Sequence, residues 1–140
     1  MLFRSKGRSN YLCHQRLERT LQRHGALPPY SLTAIEAVAR TSATGERSEV
    51  EGVADDDPVW PDVTSTADNC LGSQCPHLDQ CFVAKARRQA QESDLVVVNH
   101  HLLLADYVLR ERWQGSGLLP SVDVIVIDED RKSTRLNSSH

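Results

Sequence analysis

Residues 70–81 read Cys-Leu-Gly-Ser-Gln-Cys-Pro-His-Leu-Asp-Gln-Cys and place three cysteines in one short loop. The remaining cysteine of the chain, Cys13, lies 57 residues before Cys70. Four thiolates can close one metal or iron–sulfur site, and a distant first ligand means that such a site joins separate parts of a fold. The sequence therefore predicts a fold organised around one site, with Cys13, Cys70, Cys75 and Cys81 as its ligands.

The spacing of the cysteines discriminates between kinds of metal centre. Cys-x4-Cys-x5-Cys differs from the two Cys-x2-Cys pairs of an ordinary zinc ribbon. A 4Fe–4S cluster takes one thiolate at each corner and tolerates wider loops, so the spacing favours this cluster. Two alternatives stay open. One is a zinc site that uses His14 or His77, and the other is a set of buried cysteines with no ligand role.

Residues 130–140, Asp-Arg-Lys-Ser-Thr-Arg-Leu-Asn-Ser-Ser-His, match the translation of eleven consecutive codons of a common sequencing-library adapter. We therefore expect this tail to be foreign to the protein and leave it out of fold reasoning. On this interpretation the chain is a gene fragment whose native part stops at Glu129. The alternative is a natural, basic, serine-rich tail.

The charge of the chain restricts how it can bind nucleic acid. The tail holds three of the 16 basic and one of the 19 acidic residues, which leaves 13 basic against 18 acidic residues and a net charge of about −5. Because this balance gives no global nucleic-acid footprint, any such contact must use local basic patches. No apolar run reaches the ~18 residues of a membrane span and no secretory signal opens the chain, which predicts a cytoplasmic protein without a membrane partner. In that reducing compartment, cysteines favour metal over disulfides.

The hydrophobic pattern predicts an α/β fold. Four helices are expected. The first covers 14–24, the second begins after a cap at Ser31, and the other two cover 82–92 and 102–112. Apolar, β-branched runs at 95–98 and 122–127 predict buried strands of a parallel sheet, with the cysteine region inserted between elements of that fold. Residues 42–57 carry six acids against one arginine, which predicts a solvated, flexible insert.

Residues 124–129, Val-Ile-Val-Ile-Asp-Glu, have the form of a Walker B motif. An apolar strand places Asp128 where it can hold Mg²⁺, and Glu129 can activate the water that attacks the γ-phosphate. The alternative is an ordinary buried strand that ends in two acids. The sequence contains no Gly-x4-Gly-Lys-Ser/Thr, and a Walker B motif without this phosphate-binding loop cannot turn over ATP, so we expect no ATPase activity from this chain alone.

Two groups of polar side chains are candidates for contact with a nucleic-acid backbone. The second group, Lys85, Arg87 and Arg88, follows the last cysteine. Its cationic side chains would project near the cysteine loop, an arrangement that suits binding of single-stranded DNA. A solvated basic surface is the alternative for both groups. The first comprises Lys6, Arg8, Asn10 and Tyr11, and the second comprises Lys85, Arg87 and Arg88.

Together these motifs resemble those of the DinG-type iron–sulfur helicases, relatives of the XPD helicases in superfamily 2. The family's Asp-Glu-Ala-His box departs here at Asp130, which stands in place of Ala at the start of the adapter string. The family's phosphate-binding loop would lie before Met1. The matching segments are residues 6–13, 57–61, 64–76, 79–87, 97–106 and 126–129.

The resemblance implies a partial RecA-like helicase domain 1 with an inserted, mostly helical iron–sulfur domain. Residues 1–12 and 94–129 would belong to helicase domain 1, which ends here at the Walker B box, and residues 13–93 would form the insertion. The implied function is that of an ATP-dependent 5′-to-3′ DNA helicase in DNA repair or replication. The implied partners are ATP, Mg²⁺ and single-stranded and forked DNA, bound by a monomer.

The resemblance also implies roles for single residues. Cys13, Cys70, Cys75 and Cys81 would hold the 4Fe–4S cluster, Asp128 would hold Mg²⁺, Glu129 would activate water, and Lys6 and Arg8 would lie on the single strand. An alternative from another class is a stand-alone zinc or iron–sulfur module that binds nucleic acid or protein without catalysis.

Overall fold

The computed structural model of the chain describes residues 1–113 and 117–128. In that part of the chain two short strands, β1 (Leu2–Arg4) and β2 (Leu95–Val97), pair in parallel, with Leu2 opposite Leu95 and Arg4 opposite Val97. The coarse prediction of an α/β fold is therefore confirmed, with helix as the main element. The helices are α1 (His14–His24), α2 (Tyr30–Thr41), α3 (Trp60–Val63), α4 (Phe82–Glu92) and α5 (His100–Trp113), and short 3-10 turns lie at Arg8–Asn10, Arg47–Glu49, Gly72–Gln74 and Leu78–Gln80.

The ends of the helices follow local backbone chemistry. Helices α1 and α4 cover the predicted residues, and α1 ends at Gly25, whose φ of +66° suits glycine. Helix α2 begins at Tyr30 with Pro29 in the N-cap position, so the predicted cap at Ser31 is wrong. Helix α5 begins two residues earlier than predicted, at His100. None of the helices that the structure describes is long and apolar enough to cross a membrane.

The core lies where the first four helices meet. Leu12, Leu32, Ile35 and Val63 are inaccessible to solvent or nearly so. Since burying each such side chain stabilises the fold by about 1.5–3 kcal/mol, this cluster is the main stabilising element of the described chain. It is completed by Tyr11, Leu17, Ala39, Val50, Trp60, Phe82 and Val83.

The acidic segment 42–57 is mostly exposed but packs on this core at a few residues. Val50 is buried within the core. The guanidinium of Arg47 lies over the ring of Trp60, with Cζ 4.4 Å from the ring centroid, and Trp60 Nε1 donates a hydrogen bond to the carbonyl of Ala54 at 2.7 Å. These few apolar and aromatic contacts hold the segment on the core, while most of its acids are exposed. The flexibility of the segment stays a prediction.

The two predicted strands have different outcomes. Strand β2 forms, but Leu95 is 60% exposed, so the strand is not buried. Residues 122–127 have no regular secondary structure, and Val126 is 88% exposed, which contradicts the predicted second buried strand. A strand is stabilised by cross-strand pairing, and residues 122–127 pair with none of the other residues that the structure describes.

A buried carboxylate connects α5 to the residues that follow it. Asp106 is 6% exposed and accepts hydrogen bonds from Arg110 Nε at 2.7 Å and from the backbone N–H of Leu119 at 2.8 Å. Arg110 Nη2 in turn donates to the carbonyl of Leu119 at 2.6 Å. These bonds hold residues 117–120 against the helix.

Candidate metal centre

Cys13 is positioned by an extended segment that is hydrogen-bonded on both sides. The backbone N–H of Leu12 donates to the carbonyl of Gly45 at 2.8 Å, and Leu12 also forms an antiparallel bridge with Thr64. The N–H of Cys13 donates to the carbonyl of Val63 at 2.8 Å. The backbone of Cys13 is thus fixed by the core, although Cys13 is far from the other cysteines in sequence.

Cys13 is also the N-cap residue of α1, and Cys81 is the N-cap residue of α4. Burial raises the pKa of the Cys13 thiol, while hydrogen bonds from the backbone N–H groups of Arg16 and Gln15 act in the opposite direction. The net direction is upward. A positively charged partner is therefore needed to hold this sulfur as a thiolate at neutral pH.

All four cysteines line one cavity of about 340 Å³, which we call the cysteine cavity. Each cysteine is half-buried and none forms a disulfide. Residues 66–80, which carry Cys70 and Cys75, include no buried side chain, and the N–H of Gly72 donates to Cys70 Sγ at 3.4 Å. The fold therefore brings Cys13 to the same cavity as a loop that has almost no core contact of its own.

The four cysteines line the cavity wall, but in this conformation they do not surround a single metal ion. Within residues 1–113 and 117–128, no group of three or more His, Cys, Asp or Glu side chains is placed to hold a metal ion. A single zinc ion needs its ligands to converge at about 2.3 Å, whereas a 4Fe–4S cluster takes one thiolate at each corner of a cube.

The charge of the cavity wall fits an anionic group. Arg8, Arg87, Cys70 and Cys81 all line the cavity. Burial and the nearby positive charge of Arg8 lower the pKa of Arg87, whereas negative charge on Cys70 and Cys81 raises it. Among the residues that the structure describes, none that lines the cavity carries a carboxylate. Like charges held together in this way favour a negatively charged occupant, and an iron–sulfur cluster with four thiolate ligands is one. The arginines on the wall are Arg8, Arg16, Arg87 and Arg88.

One of these arginines, Arg16, was not among the site residues predicted from the sequence, whereas Arg87 belongs to the second predicted DNA-contact group. The available signal was helical spacing. Arg87 follows Val83 by four residues on α4, and Arg16 follows Cys13 by three at the start of α1, so each lies on the same helix face as a residue of the cavity.

Two histidines line the same cavity. The rings of His14 and His77 have centroids 6.0 Å apart, and His77 Nε2 lies 2.8 Å from Glu18 Oε2. Burial lowers the pKa of His14, and the neighbouring His77 lowers it further. Because neutral imidazole is a common metal ligand, this geometry keeps the mixed cysteine–histidine zinc site open as an alternative.

The first group of predicted DNA-binding residues is only partly exposed. Lys6 is half-buried and forms an ion pair with Glu46. Asn10 Nδ2 donates to the carbonyl of Gly7 at 3.1 Å. Tyr11 is 3% exposed, so its ring packs in the core and does not face a DNA strand in this conformation.

The other predicted DNA-binding residues are divided between two places. Arg8 and Arg88 both line the cysteine cavity, and Arg8 also lines a small adjoining cavity of about 80 Å³ together with Lys6. Lys85 lies elsewhere on α4 and donates to the carbonyl of Ala43 at 2.6 Å.

Of the two predicted Walker B acids, the structure describes Asp128 alone. Asp128 is exposed and follows the irregular residues 122–127. Glu129 lies outside the described residues, as does the tail 130–140. The roles assigned to Asp128 and Glu129 in Mg²⁺ binding and water activation stay predictions.

Comparison with known proteins identifies relatives along most of the chain. Over 127 residues it is 48% identical to the ATP-dependent DNA helicase YoaA of Escherichia coli (strain K12), and over 128 residues it is 43% identical to YoaA of Haemophilus influenzae. An alignment of 142 positions gives 32% identity to the ATP-dependent helicase DinG of Mycobacterium tuberculosis (strain ATCC 25177 / H37Ra). Each alignment covers 89% of this chain and 20% of the relative.

No family model and no solved structure matches the chain. The chain spans about a fifth of the length of the curated relatives it matches. It is therefore related to the DinG-type ATP-dependent DNA helicases, and its similarity to them covers one segment of their sequence.

Proposed function

We propose that this chain is the cluster-bearing part of an ATP-dependent 5′-to-3′ DNA helicase that acts in DNA repair or replication. Its 4Fe–4S cluster would be held by Cys13, Cys70, Cys75 and Cys81. The observation that carries the proposal is the arrangement of all four thiols around one arginine-lined cavity. The relatives named as ATP-dependent DNA helicases support DNA and ATP as partners of the whole protein.

The strand pairing supports an inserted domain. Strands β1 and β2 are parallel neighbours, and the chain leaves the sheet after Arg4 and returns to it at Leu95. Parallel neighbours always need a long crossover, and here the crossover contains the whole cysteine cavity. We assign residues 1–12 and 94–129 to a RecA-like helicase domain 1 and residues 13–93 to the iron–sulfur insertion.

The cysteines would act mainly as a structural cross-link. Residues 66–80 contribute nothing to the buried core, so their conformation depends on ligation by Cys70 and Cys75. Cys13 and Cys81, at the starts of α1 and α4, would supply the fixed end of that cross-link. Bound there, the cluster supplies a rigid connection between the loop and the two helices.

The remaining roles concern DNA and ATP. Arg8 and Arg88, at the edge of the cysteine cavity, would contact the phosphates of a single strand, with Lys6, Asn10 and Lys85 adding polar contacts nearby. Asp128 and Glu129 would serve ATP hydrolysis in the whole protein, together with a phosphate-binding loop that this sequence does not contain.

The proposal is tested by metal analysis of the whole 140-residue chain after anaerobic reconstitution with iron and sulfide. We expect about four iron and four acid-labile sulfide per chain, as one cubane cluster requires. Cys75→Ser should lose iron, while Ser73→Ala, an exposed change in the same loop, should keep it. Equal iron content in the two variants would contradict the ligand assignment.

The zinc or cluster-binding module without catalysis is the second candidate, and the two histidines in the cavity favour it. Stoichiometric zinc in the purified chain, lost in His14→Ala or His77→Ala, would support this candidate over the first. We also expect the chain alone to show no ATPase activity, because the phosphate-binding loop is missing from its sequence.

A further inference from the structure

Helices α1 and α3 form a second groove that no sequence motif indicates. Its volume is about 510 Å³. Arg16, Arg19 and Arg23 are spaced three and four residues apart on α1, so they project from one face of the helix. We call this the arginine groove. Its lining residues are Arg16, Arg19, Thr20, Gln22, Arg23 and Asp62.

The arginine groove has an excess of positive charge. Three guanidinium groups face one carboxylate, Asp62, and the only ion pair among the described groove residues joins Arg23 Nη2 to Asp62 Oδ1 at 3.7 Å. Both partners are about half exposed or more, so water screens the pair. Glu18, the acid of α1, is engaged by His77 at 2.8 Å. Arg19 has no ion pair or side-chain hydrogen bond with the described residues.

Arg16 connects the arginine groove to the cysteine cavity, because its side chain lines both. Its Nη2 donates to the carbonyl of Pro61 at 2.9 Å, which fixes the guanidinium. Its Nε is buried and has no hydrogen-bond partner among the described residues. Buried donors are normally paired, and the oxygens of phosphate, like those of carboxylate, match the forked geometry of a guanidinium.

We propose that the arginine groove binds the phosphodiester backbone of single-stranded DNA. Arg19 and Arg23 contact phosphates of the strand. Arg16, which lines both cavities, contacts the strand on the side toward the cysteine cavity. The inference rests on the proposed function, since it takes DNA as the partner of the chain. It adds α1 to the contacts proposed at Arg8 and Arg88. Because phosphate contacts carry no base information, binding at this groove is independent of sequence and weakens steeply with salt.

The test is fluorescence anisotropy of the whole chain with a labelled oligothymidine, measured at several salt concentrations. The double variant Arg19→Gln/Arg23→Gln is expected to bind about tenfold more weakly at low salt. The plot of log K against log salt should become shallower, with a slope smaller in magnitude by about 1.4, which corresponds to two lost phosphate contacts. Arg40→Gln is the matched control. Arg40 is an exposed arginine of α2 that pairs with Glu36 and lines neither cavity, so affinity and slope should not change.

Arg23 also donates to Thr20 Oγ1 at 3.1 Å, so its replacement affects packing as well as charge. The single variant Arg19→Gln removes no described contact, and it should weaken binding with unchanged thermal unfolding. Arg19→Lys keeps the charge and should restore most of the affinity.

Three outcomes decide between the proposals. Weaker binding by the arginine-groove variants, with Arg40→Gln unaffected, supports the groove. If those variants bind as the unaltered chain does while Arg8→Gln/Arg88→Gln loses binding, the groove is excluded and the proposed function survives. If the unaltered chain does not bind the oligonucleotide, both proposals fail.

Discussion

Gly45 lies against the ring of Phe82 so closely that a β-carbon at position 45 would overlap the ring carbons. Its φ is +64°, in the left-handed region that favours glycine. The carbonyl of Gly45 accepts the N–H of Leu12, next to Cys13, and Phe82 follows Cys81 directly. One close contact therefore fixes the backbone beside two of the four cysteines.

Gly45→Ala should be strongly destabilising, because it combines an unfavourable backbone conformation with a collision in the core. We expect the free energy of unfolding in urea to fall by about 2–4 kcal/mol. Gly25→Ala is the control for backbone strain without a collision, since Gly25 has a φ of +66° but no atom within 4 Å of an added β-carbon, and it should cost about 1–3 kcal/mol. Equal costs at the two positions would show that the contact with Phe82 is unimportant.

Removal of iron should loosen the cysteine loop and leave the helical core intact. Leu71 and Leu78 are 49% and 39% exposed, and residues 66–80 have no buried side chain to hold them when ligation is lost. We expect chymotrypsin to cleave after Leu71 and Leu78 at least about tenfold faster in the iron-free chain, because local opening there costs little free energy. Tyr30, which is 71% exposed, is an internal control whose cleavage should not depend on iron. Iron-independent cleavage at the two leucines would contradict the structural role of the ligands.

The carboxylate of Glu49 should make stability depend on pH. Hydrogen bonds from the hydroxyl of Thr44, from Ser42 Oγ at 2.8 Å and from the N–H of Glu46 at 3.1 Å hold its pKa below the usual value, although burial acts in the opposite direction. Because the folded pKa is the lower one, the stabilisation is present above about pH 4.5 and is lost as the pH falls through the folded pKa.

Glu49→Gln should therefore lower the free energy of unfolding at pH 7 by about 1 kcal/mol, the usual value of a capping interaction. The difference from the unaltered chain should shrink at pH 3. Urea denaturation at both pH values measures this difference in the free energy of unfolding. Glu51→Gln, at an exposed position, is the control. A difference that is the same at both pH values would rule out ionisation of Glu49 as its cause.

Asp106→Ala should release residues 117–120 from α5. The substitution removes the acceptor of the Leu119 N–H and leaves Arg110 without its carboxylate. We expect a loss of about 2–3 kcal/mol and faster hydrogen exchange at the Leu119 amide. Asp123→Ala, at an exposed position, should change neither quantity. Unchanged exchange at Leu119 in the Asp106 variant would show that another contact holds these residues.

Sequence patterns predicted the elements whose stability is local. Helices α1 and α4 have apolar residues at helical spacing and clear boundaries at Gly25 and Cys81, so both were located correctly. The packing of residues 42–57 depends on Arg47, Val50 and Trp60 meeting in three dimensions, which charge counting cannot show.

Predictions were less accurate for features that depend on contacts between residues far apart in the sequence. Residues 122–127 have high strand propensity, but propensity without a pairing strand does not make a sheet. The cysteine pattern predicted one shared site, and the four cysteines do line one cavity. The sequence also singled out Arg8, Arg87 and Arg88, whereas the place of Arg16 on the same cavity wall is seen only in the folded chain. The identity of the bound group stays a prediction.

The parallel pairing of β1 and β2 has a consequence for how this protein can be rebuilt. With Leu2 opposite Leu95, the Cα atoms of Arg4 and Leu95 lie within about 8 Å of each other, given ordinary strand spacing and rise. Segments with neighbouring ends are the ones that tolerate excision, exchange and transplantation. Residues 5–94 thus form a single crossover with neighbouring ends, so a different segment can replace them provided that it is long enough to connect two parallel strands.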